Sequence, residues 1–308
     1  MCTAMHAHGC FGRTLDLECT YAEQVVICPR DFPLRWRHLS APERHYAIIG
    51  MATVAEGYPL YYDGMNEHGL AMAGLRFSHS GAYTAAQEGD VASFELIPYV
   101  LGRCATLDEA RAALVGVRVC DTAFSAALPP SKLHWMVSDG KAALVVESTA
   151  EGVRVYDDPV GVLTNEPPFP IQLAEWEKHT HLTADEPQET PPHLGRGSGS
   201  LGLPGDFSSP SRFVRAAFIA AHSEADNDPV GQFFHAMAAV EVPRGCLRLP
   251  DGRRVVSHYT ACMDLVAGTY YYRTYGCHRI QTVRLTDPEG DALAAYPLPT
   301  CDNLAREN

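Results

Sequence analysis

Lysine is scarce in this sequence: Lys132, Lys141 and Lys178 are the only three in a chain of 308 residues. Lysine and arginine together number 24 against 37 acidic residues, a formal charge of −13, and the arginines are scattered rather than clustered. A surface of that sign repels phosphate backbones and anionic headgroups, so nucleic acid and membrane surfaces are poor candidate partners. No run approaches the roughly 20 consecutive apolar residues that a bilayer span requires. The first ten residues have neither a positive n-region nor an apolar h-region, so no secretory signal is expected and a cytoplasmic location is. Ten cysteines at irregular spacing, in a chain too large to need staples, are expected to be reduced and mostly buried.

What is present suffices for a large core: 46% of residues are apolar and 20% charged. A single domain over residues 1–308 is expected. Strand signals dominate. Leu133 to Glu147 flanks Ser138-Asp139-Gly140, whose Asp-Gly pair suits a tight hairpin turn. His258 to Leu285 reads as two or three strands, and His45–Val54 and Leu70–Phe77 as shorter ones. Helix starts are marked by a capping box at Thr106–Glu109, by Ser209-Pro210 before Ser211–His222, and by Asp228-Pro229 before Val230–Val240. Strands in runs with helices in pairs favour layered α+β over a doubly wound sheet. Pro187 to Pro210, rich in Pro, Gly and Ser, is expected to be a long loop.

Gly197-Ser-Gly199-Ser-Leu-Gly202 matches a dinucleotide-binding fingerprint in letters only. No strand precedes it, and Pro204 interrupts the helix that should follow. His6/His8 and His179/His181 have no partners at zinc-like spacing and read as surface residues. Neither a metal nor an organic cofactor is therefore expected.

Cys2 has a chemical consequence that depends on its position. Removal of Met1 would leave a thiol and a free α-amine on one residue, and such an amine has a reference pKa near 7.7–8.0, suited to accepting a proton at neutral pH. The plainer reading is a small buried residue. Gly12-Arg-Thr-Leu-Asp16 lies one strand and one turn further on, so a hairpin returns Arg13 and Asp16 beside the nucleophile. There a guanidinium favours thiolate and a carboxylate can hold the amine. An ordinary Arg–Asp pair is the alternative. Arg212 falls in the first turn of a predicted helix, where the macrodipole disfavours a cation, and so calls for a buried acidic partner or a role at the site.

Together these residues resemble the choloylglycine hydrolase family of bile salt hydrolases and penicillin V acylases, within the N-terminal nucleophile hydrolases. The resemblance runs through Met1-Cys-Thr3, Phe11-Gly-Arg-Thr-Leu-Asp16, Tyr61-Tyr-Asp-Gly-Met-Asn-Glu-His-Gly-Leu70, Ser93-Phe-Glu-Leu-Ile-Pro98, Leu133-His-Trp135, Val162-Leu-Thr-Asn165, Gly202-Leu-Pro-Gly-Asp206, Ser211-Arg-Phe213 and Gly268-Thr-Tyr-Tyr-Tyr-Arg273. It implies a four-layer αββα sandwich of two antiparallel sheets flanked by helices, assembled as a homotetramer.

The resemblance also implies roles. Cys2 attacks an amide, Arg13 and Asp16 attend its thiol and amine, and Asn165 donates to the oxyanion. Arg212 supports the surrounding charges, and the backbone N–H of Arg76 is the second oxyanion donor. Arg76 departs from the pattern, because bile salt hydrolases typically carry Asn there and penicillin acylases Tyr. The segment from Met1 to Gly12 is also shorter than in well-known members, which implies a trimmed first hairpin. Conjugated bile salts are the first substrate expectation. The alternatives are penicillin V or another N-acyl amide and, in a different class, an inert binding protein.

Overall fold

The computed structural model describes residues 1–40, 44–189, 192–286 and 289–302. Sixteen strands and five α-helices are formed among them. In chain order these are β1 (Cys2–Ala7), β2 (Cys10–Leu17), β3 (Gln24–Cys28), β4 (Ile48–Ala55), β5 (Tyr58–Asn66), β6 (Ala71–Arg76), β7 (Val91–Ala92), α1 (Leu96–Leu101), α2 (Leu107–Leu114), β8 (Val119–Cys120), β9 (Leu133–Ser138), β10 (Ala143–Thr149), β11 (Gly152–Asp157), β12 (Val162–Leu163), α3 (Phe169–Glu177), α4 (Ser209–His222), α5 (Pro229–Ala238), β13 (Val256–Asp264), β14 (Thr269–Thr274), β15 (Cys277–Arg284) and β16 (Ala294–Pro297).

Two antiparallel sheets result. The first, of six strands, has the order β12-β1-β2-β13-β14-β15; the second, of eight, runs β11-β10-β9-β6-β5-β4-β3-β16. Helices α4 and α5 pack on the outer face of the first sheet, against β1, β2, β12 and β13. Helices α1 and α2 cover the second, over β5, β6, β9 and β10. Strands β1 and β2 lie against β6 between the layers. This is the αββα sandwich. One apolar cluster, with Met5, Phe11, Leu75, Met136, Phe213 and Phe233, draws on both sheets and on α4 and α5; a second, with Leu70, Trp135, Val137, Leu96 and Val100, lies under α1 and α2.

Local sequence accounts for much of this. The Thr106 side chain accepts the Glu109 N–H at 3.1 Å, while the Glu109 carboxylate reaches Ala105, one residue short of the reciprocal bond that a full capping box makes. Asp228 accepts the Gly231 N–H at 2.8 Å and starts α5. Helix α4 begins at Ser209 behind Ser208 as N-cap, one residue earlier than the Ser-Pro signal places its cap. The reason is competition: the Ser209 hydroxyl is taken by Thr164 and by the Asn165 N–H. The Pro187–Pro210 loop holds a short 3-10 turn at Ser198–Ser200; residues 190 and 191 lie outside the described residues. No helix among the described residues is long and apolar enough to cross a membrane.

Candidate active site

The β1–β2 hairpin turns on His8 and Gly9, whose φ values of 56° and 74° are those of a two-residue turn matched to strand twist. The turn pairs Cys2 with Leu15 and Ala4 with Arg13. Directly opposed residues share a face, so Cys2, Ala4, Arg13 and Leu15 look toward the second sheet, while Thr3, Thr14 and Asp16 look toward α4. The expected return of Arg13 and Asp16 to the nucleophile is thus a matter of register.

Met1 is present in this chain, so the Cys2 nitrogen is a peptide N–H and stands in for the α-amine that cleavage would free. It donates to Asn165 Oδ1 at 2.9 Å. Cys2 itself is 3% exposed. The Asp16 carboxylate, fully buried, accepts from Ser257 Oγ at 2.6 Å and from Thr14 Oγ1 at 3.2 Å. Its backbone N–H meets the Met1 carbonyl at 3.0 Å. With Met1 in place the nitrogen therefore faces Asn165, and among the described residues the Asp16 carboxylate reaches β1 only through the Thr14 hydroxyl, which accepts the Thr3 N–H at 3.2 Å.

Arg13 is fully buried beneath the nucleophile. Its Nη1 donates to Gly74 O at 2.5 Å and Tyr62 O at 3.2 Å, and its Nε to Thr14 O at 3.1 Å. Burial works against its charge, but Cys2, Tyr259, Asp63 and Asp16 outweigh it and push the pKa up. One donor, Nη2, has no partner among the described residues. Asp63 lies 4.0 Å away and receives the Tyr259 and Tyr270 hydroxyls at 2.5 and 2.6 Å. Burial raises the Asp63 pKa, with Arg13 and the two tyrosines opposing.

Asn165 follows β12. Its Oδ1 accepts from Cys2 N and from Arg212 Nη2 at 2.8 Å; its Nδ2 donates to the Arg76 carbonyl at 2.9 Å. Arg212 also donates through Nη1 to Cys2 O at 2.6 Å and Thr3 Oγ1 at 2.7 Å, and through Nε to Phe207 O at 3.1 Å. Burial lowers its pKa, opposed by Asp16 and Cys2. A cation in the first turn of α4 is thereby explained: it belongs to the start of β1.

Arg76 ends β6. The Phe77 N–H donates to Lys132 O, and the alternation of an antiparallel ladder then turns the N–H and C=O of Gly74 and Arg76 away from β9. Strand β5 pairs with β6 only from Asp63 to Met65, so these groups are left to side chains: Gly74 O to Arg13, Arg76 O to Asn165. The Arg76 side chain is exposed, with Nε on Ser78 Oγ at 2.7 Å. All six residues singled out from the sequence, Cys2, Arg13, Asp16, Arg76, Asn165 and Arg212, meet here.

The other motifs lie apart. His6 and His8 bond to Ser138 and Ser223, His179 and His181 to backbone carbonyls of α3 and its C-cap, and the Gly197–Gly202 stretch is loop. Surface concavities occur beside Glu224, Asp228 and His235 and beside Phe32, Arg35 and Tyr58; neither is lined by Cys2. Sequence reasoning passed over Asp63, Tyr259, Ser257 and Ser209 as site residues. Asp63 lay inside a quoted motif and Ser209 was read only as a helix start; nothing local marked Tyr259 or Ser257.

The family model of linear amide C–N hydrolases, choloylglycine hydrolase family, matches residues 2–294. The chain belongs to the choloylglycine hydrolase family. It is accordingly a linear-amide C–N hydrolase. Among relatives, the bile salt hydrolase/transferase of Lactiplantibacillus plantarum is 41% identical over 314 residues, spanning 97% of each chain. The solved conjugated bile acid hydrolase of Clostridium perfringens superposes with a TM-score of 0.92 at 31% identity, covering 100% of both chains. The penicillin V acylase of Agrobacterium tumefaciens shares the fold, with a TM-score of 0.76 at 20% identity over 96% of this chain and 90% of its own. In this member of the choloylglycine hydrolase family Cys2 opens β1 of the six-stranded sheet.

Proposed function

We propose that this chain hydrolyses glycine- or taurine-conjugated bile salts, with Cys2 as nucleophile once Met1 is removed. One observation carries the reading: a single amide, Asn165, links the Cys2 nitrogen, Arg212 and the Arg76 backbone. The names borne by relatives of 33–41% identity supply the substrate.

In this mechanism the free α-amine of Cys2 takes the thiol proton. The thiolate attacks the amide carbon, and the carbonyl electron pair moves to oxygen. Asn165 Nδ2 carries two hydrogens; one serves Arg76 O and the second meets the oxyanion together with the Arg76 N–H. The tetrahedral carbon collapses, the C–N bond breaks, and the ammonium proton passes to the leaving nitrogen as glycine or taurine departs. Water then attacks the acyl-thioester carbon, giving a proton to the amine; the C–S bond breaks, the free bile acid leaves, and the ammonium returns its proton to the sulfur, restoring the thiol. Arg13, kept charged beside Cys2, favours thiolate. The steps call for no metal or organic cofactor.

A single domain over residues 1–308, cytoplasmic residence and a homotetramer complete the proposal. The shared apolar cluster supports the first and the family likeness the third. Penicillin V is the alternative substrate, and an inert binding protein the non-enzymatic one. Side-by-side assays of taurocholate, glycocholate and penicillin V, with Cys2→Ser as control, test the reading. Release of taurine and glycine supports it; release from penicillin V alone, or from none, rejects it. An intact Met1 by mass spectrometry would favour the inert protein.

A further inference from the structure

His134, on β9, and Glu147, on β10, are both fully buried and stand opposite each other in the sheet. The Glu147 Oε1 atom accepts the Phe169 N–H at 2.8 Å, a bond that favours the ionised carboxylate, whose oxygens only accept. It also lies 3.2 Å from His134 Nδ1. The other ring nitrogen, Nε2, lies 2.8 Å from the Thr164 carbonyl, which can only accept. Two acceptors require two ring N–H donors. We infer that His134 is a doubly protonated imidazolium, paired with the Glu147 carboxylate, and that it is a positioning residue for both oxyanion donors.

The second half of this inference rests on the proposed roles of Asn165 and Arg76. The Thr164 carbonyl and the Asn165 N–H are the two ends of one peptide plane. His134 holds the first end, and Ser209 Oγ the second at 2.8 Å. A plane pinned at both ends fixes the direction in which the Asn165 side chain leaves the backbone. On its face the same ring stacks against Phe77, with centroids 4.3 Å apart and planes at 8°. A cation over an aromatic face is attracted to it. Phe77 and Thr164 are the chain neighbours of Arg76 and Asn165, so one buried ring touches the residue beside each donor.

The test has two arms. In the wild-type chain labelled with ¹³C and ¹⁵N, with the His134 ring assigned through bonds to its own backbone, both His134 ring nitrogens should be protonated at neutral pH; one bare nitrogen overturns the proposal. The second arm is kinetic, on taurocholate. His134→Gln can still present an N–H at the Nε2 position toward Thr164, whereas His134→Asn can present one only at the Nδ1 position toward Glu147. The Gln variant, which keeps the Thr164 bond but not the ring over Phe77, should lose clearly less kcat than the Asn variant, which loses about tenfold or more; KM stays unchanged in both, because a misaligned donor is felt in the transition state. Equal loss in both variants, or in neither, overturns the positioning role. Each variant is repeated with Glu147→Gln, which removes any unpaired carboxylate, and if neither folds the labelling arm decides. A wild-type chain inert on every conjugate would reject the substrate reading while leaving the nitrogen signals to decide the imidazolium.

Discussion

Arg212 donates to Asn165 Oδ1 at 2.8 Å, joining two buried side chains 47 residues apart. An arginine has no acceptor, so the atom it meets must be the amide oxygen. The amide nitrogen is thereby turned the other way, toward Arg76. The orientation that the proposed mechanism asks of Asn165 is thus set by Arg212.

Replacing Cys2 removes the nucleophile from a small buried position. Cys2→Ala should lower kcat by at least about a thousandfold while shifting the thermal transition only slightly, since the substitution removes a single sulfur atom from the core. A quantitative amine-release assay and a melting curve check both halves. Substantial residual turnover would remove Cys2 from the mechanism.

For Asn165→Ala the expected loss is about 10²–10³ in kcat, as for other oxyanion donors, with KM for taurocholate nearly constant. Steady-state kinetics separate the two parameters. A pure KM effect would assign the amide to ground-state binding instead.

Arg212→Met should destabilise the fold by about 3–5 kcal/mol, because Asp16 and the acceptors at Cys2, Thr3 and Asn165 lose a fully buried cation. Arg212→Lys should recover little of it, since one ammonium cannot reproduce the planar fork. Urea denaturation measures both; a lysine variant as stable as the wild type would contradict the geometry.

Arg76→Asn should change the preference between taurine and glycine conjugates while preserving turnover, because the backbone N–H survives the substitution and the exposed guanidinium does not. The ratio of kcat/KM values for taurocholate and glycocholate reports this. An unchanged ratio would free the Arg76 side chain of any part in reading the sulfonate or carboxylate.

Asp158 follows β11. Burial raises its carboxyl pKa to about 7, against the pull of the Val160 and Gly161 N–H groups. The folded chain therefore holds this proton more tightly than the unfolded chain. The resulting stability is full below the unfolded pKa near 3.9 and is lost as the pH rises through about 7. Asp158→Asn, which cannot ionise, should gain on the wild type in melting temperature between about pH 4 and pH 8. A constant difference across that range would show that Asp158 does not titrate in this window.

How legible all this was depended on how local each cause is. The helix starts at Thr106 and Asp228, the hairpin at Asp139-Gly140 and the return of Arg13 to Cys2 rest on residues a few positions apart, and they could be read directly. Strand β5 gave no alternation because both of its faces are buried, and α1 spans six residues, too few for a helical period to show. Helix α3 starts behind Pro168 without a side-chain cap. At the site, Arg212 announced itself by sitting where a cation is disfavoured. Asp63, Tyr259 and Tyr270 did not, since they meet only when one sheet is laid on the other.

The corner at His8 and Gly9 governs which way the sulfur looks. A corner of two residues allows only one alignment of β1 on β2, and side chains along a strand point alternately up and down. With that corner kept, a single residue inserted in β1 between it and the thiol would turn Cys2 over and send the sulfur toward the helices, leaving Arg13 with nothing above it. The chemistry at the head of the strand is aimed from its tail.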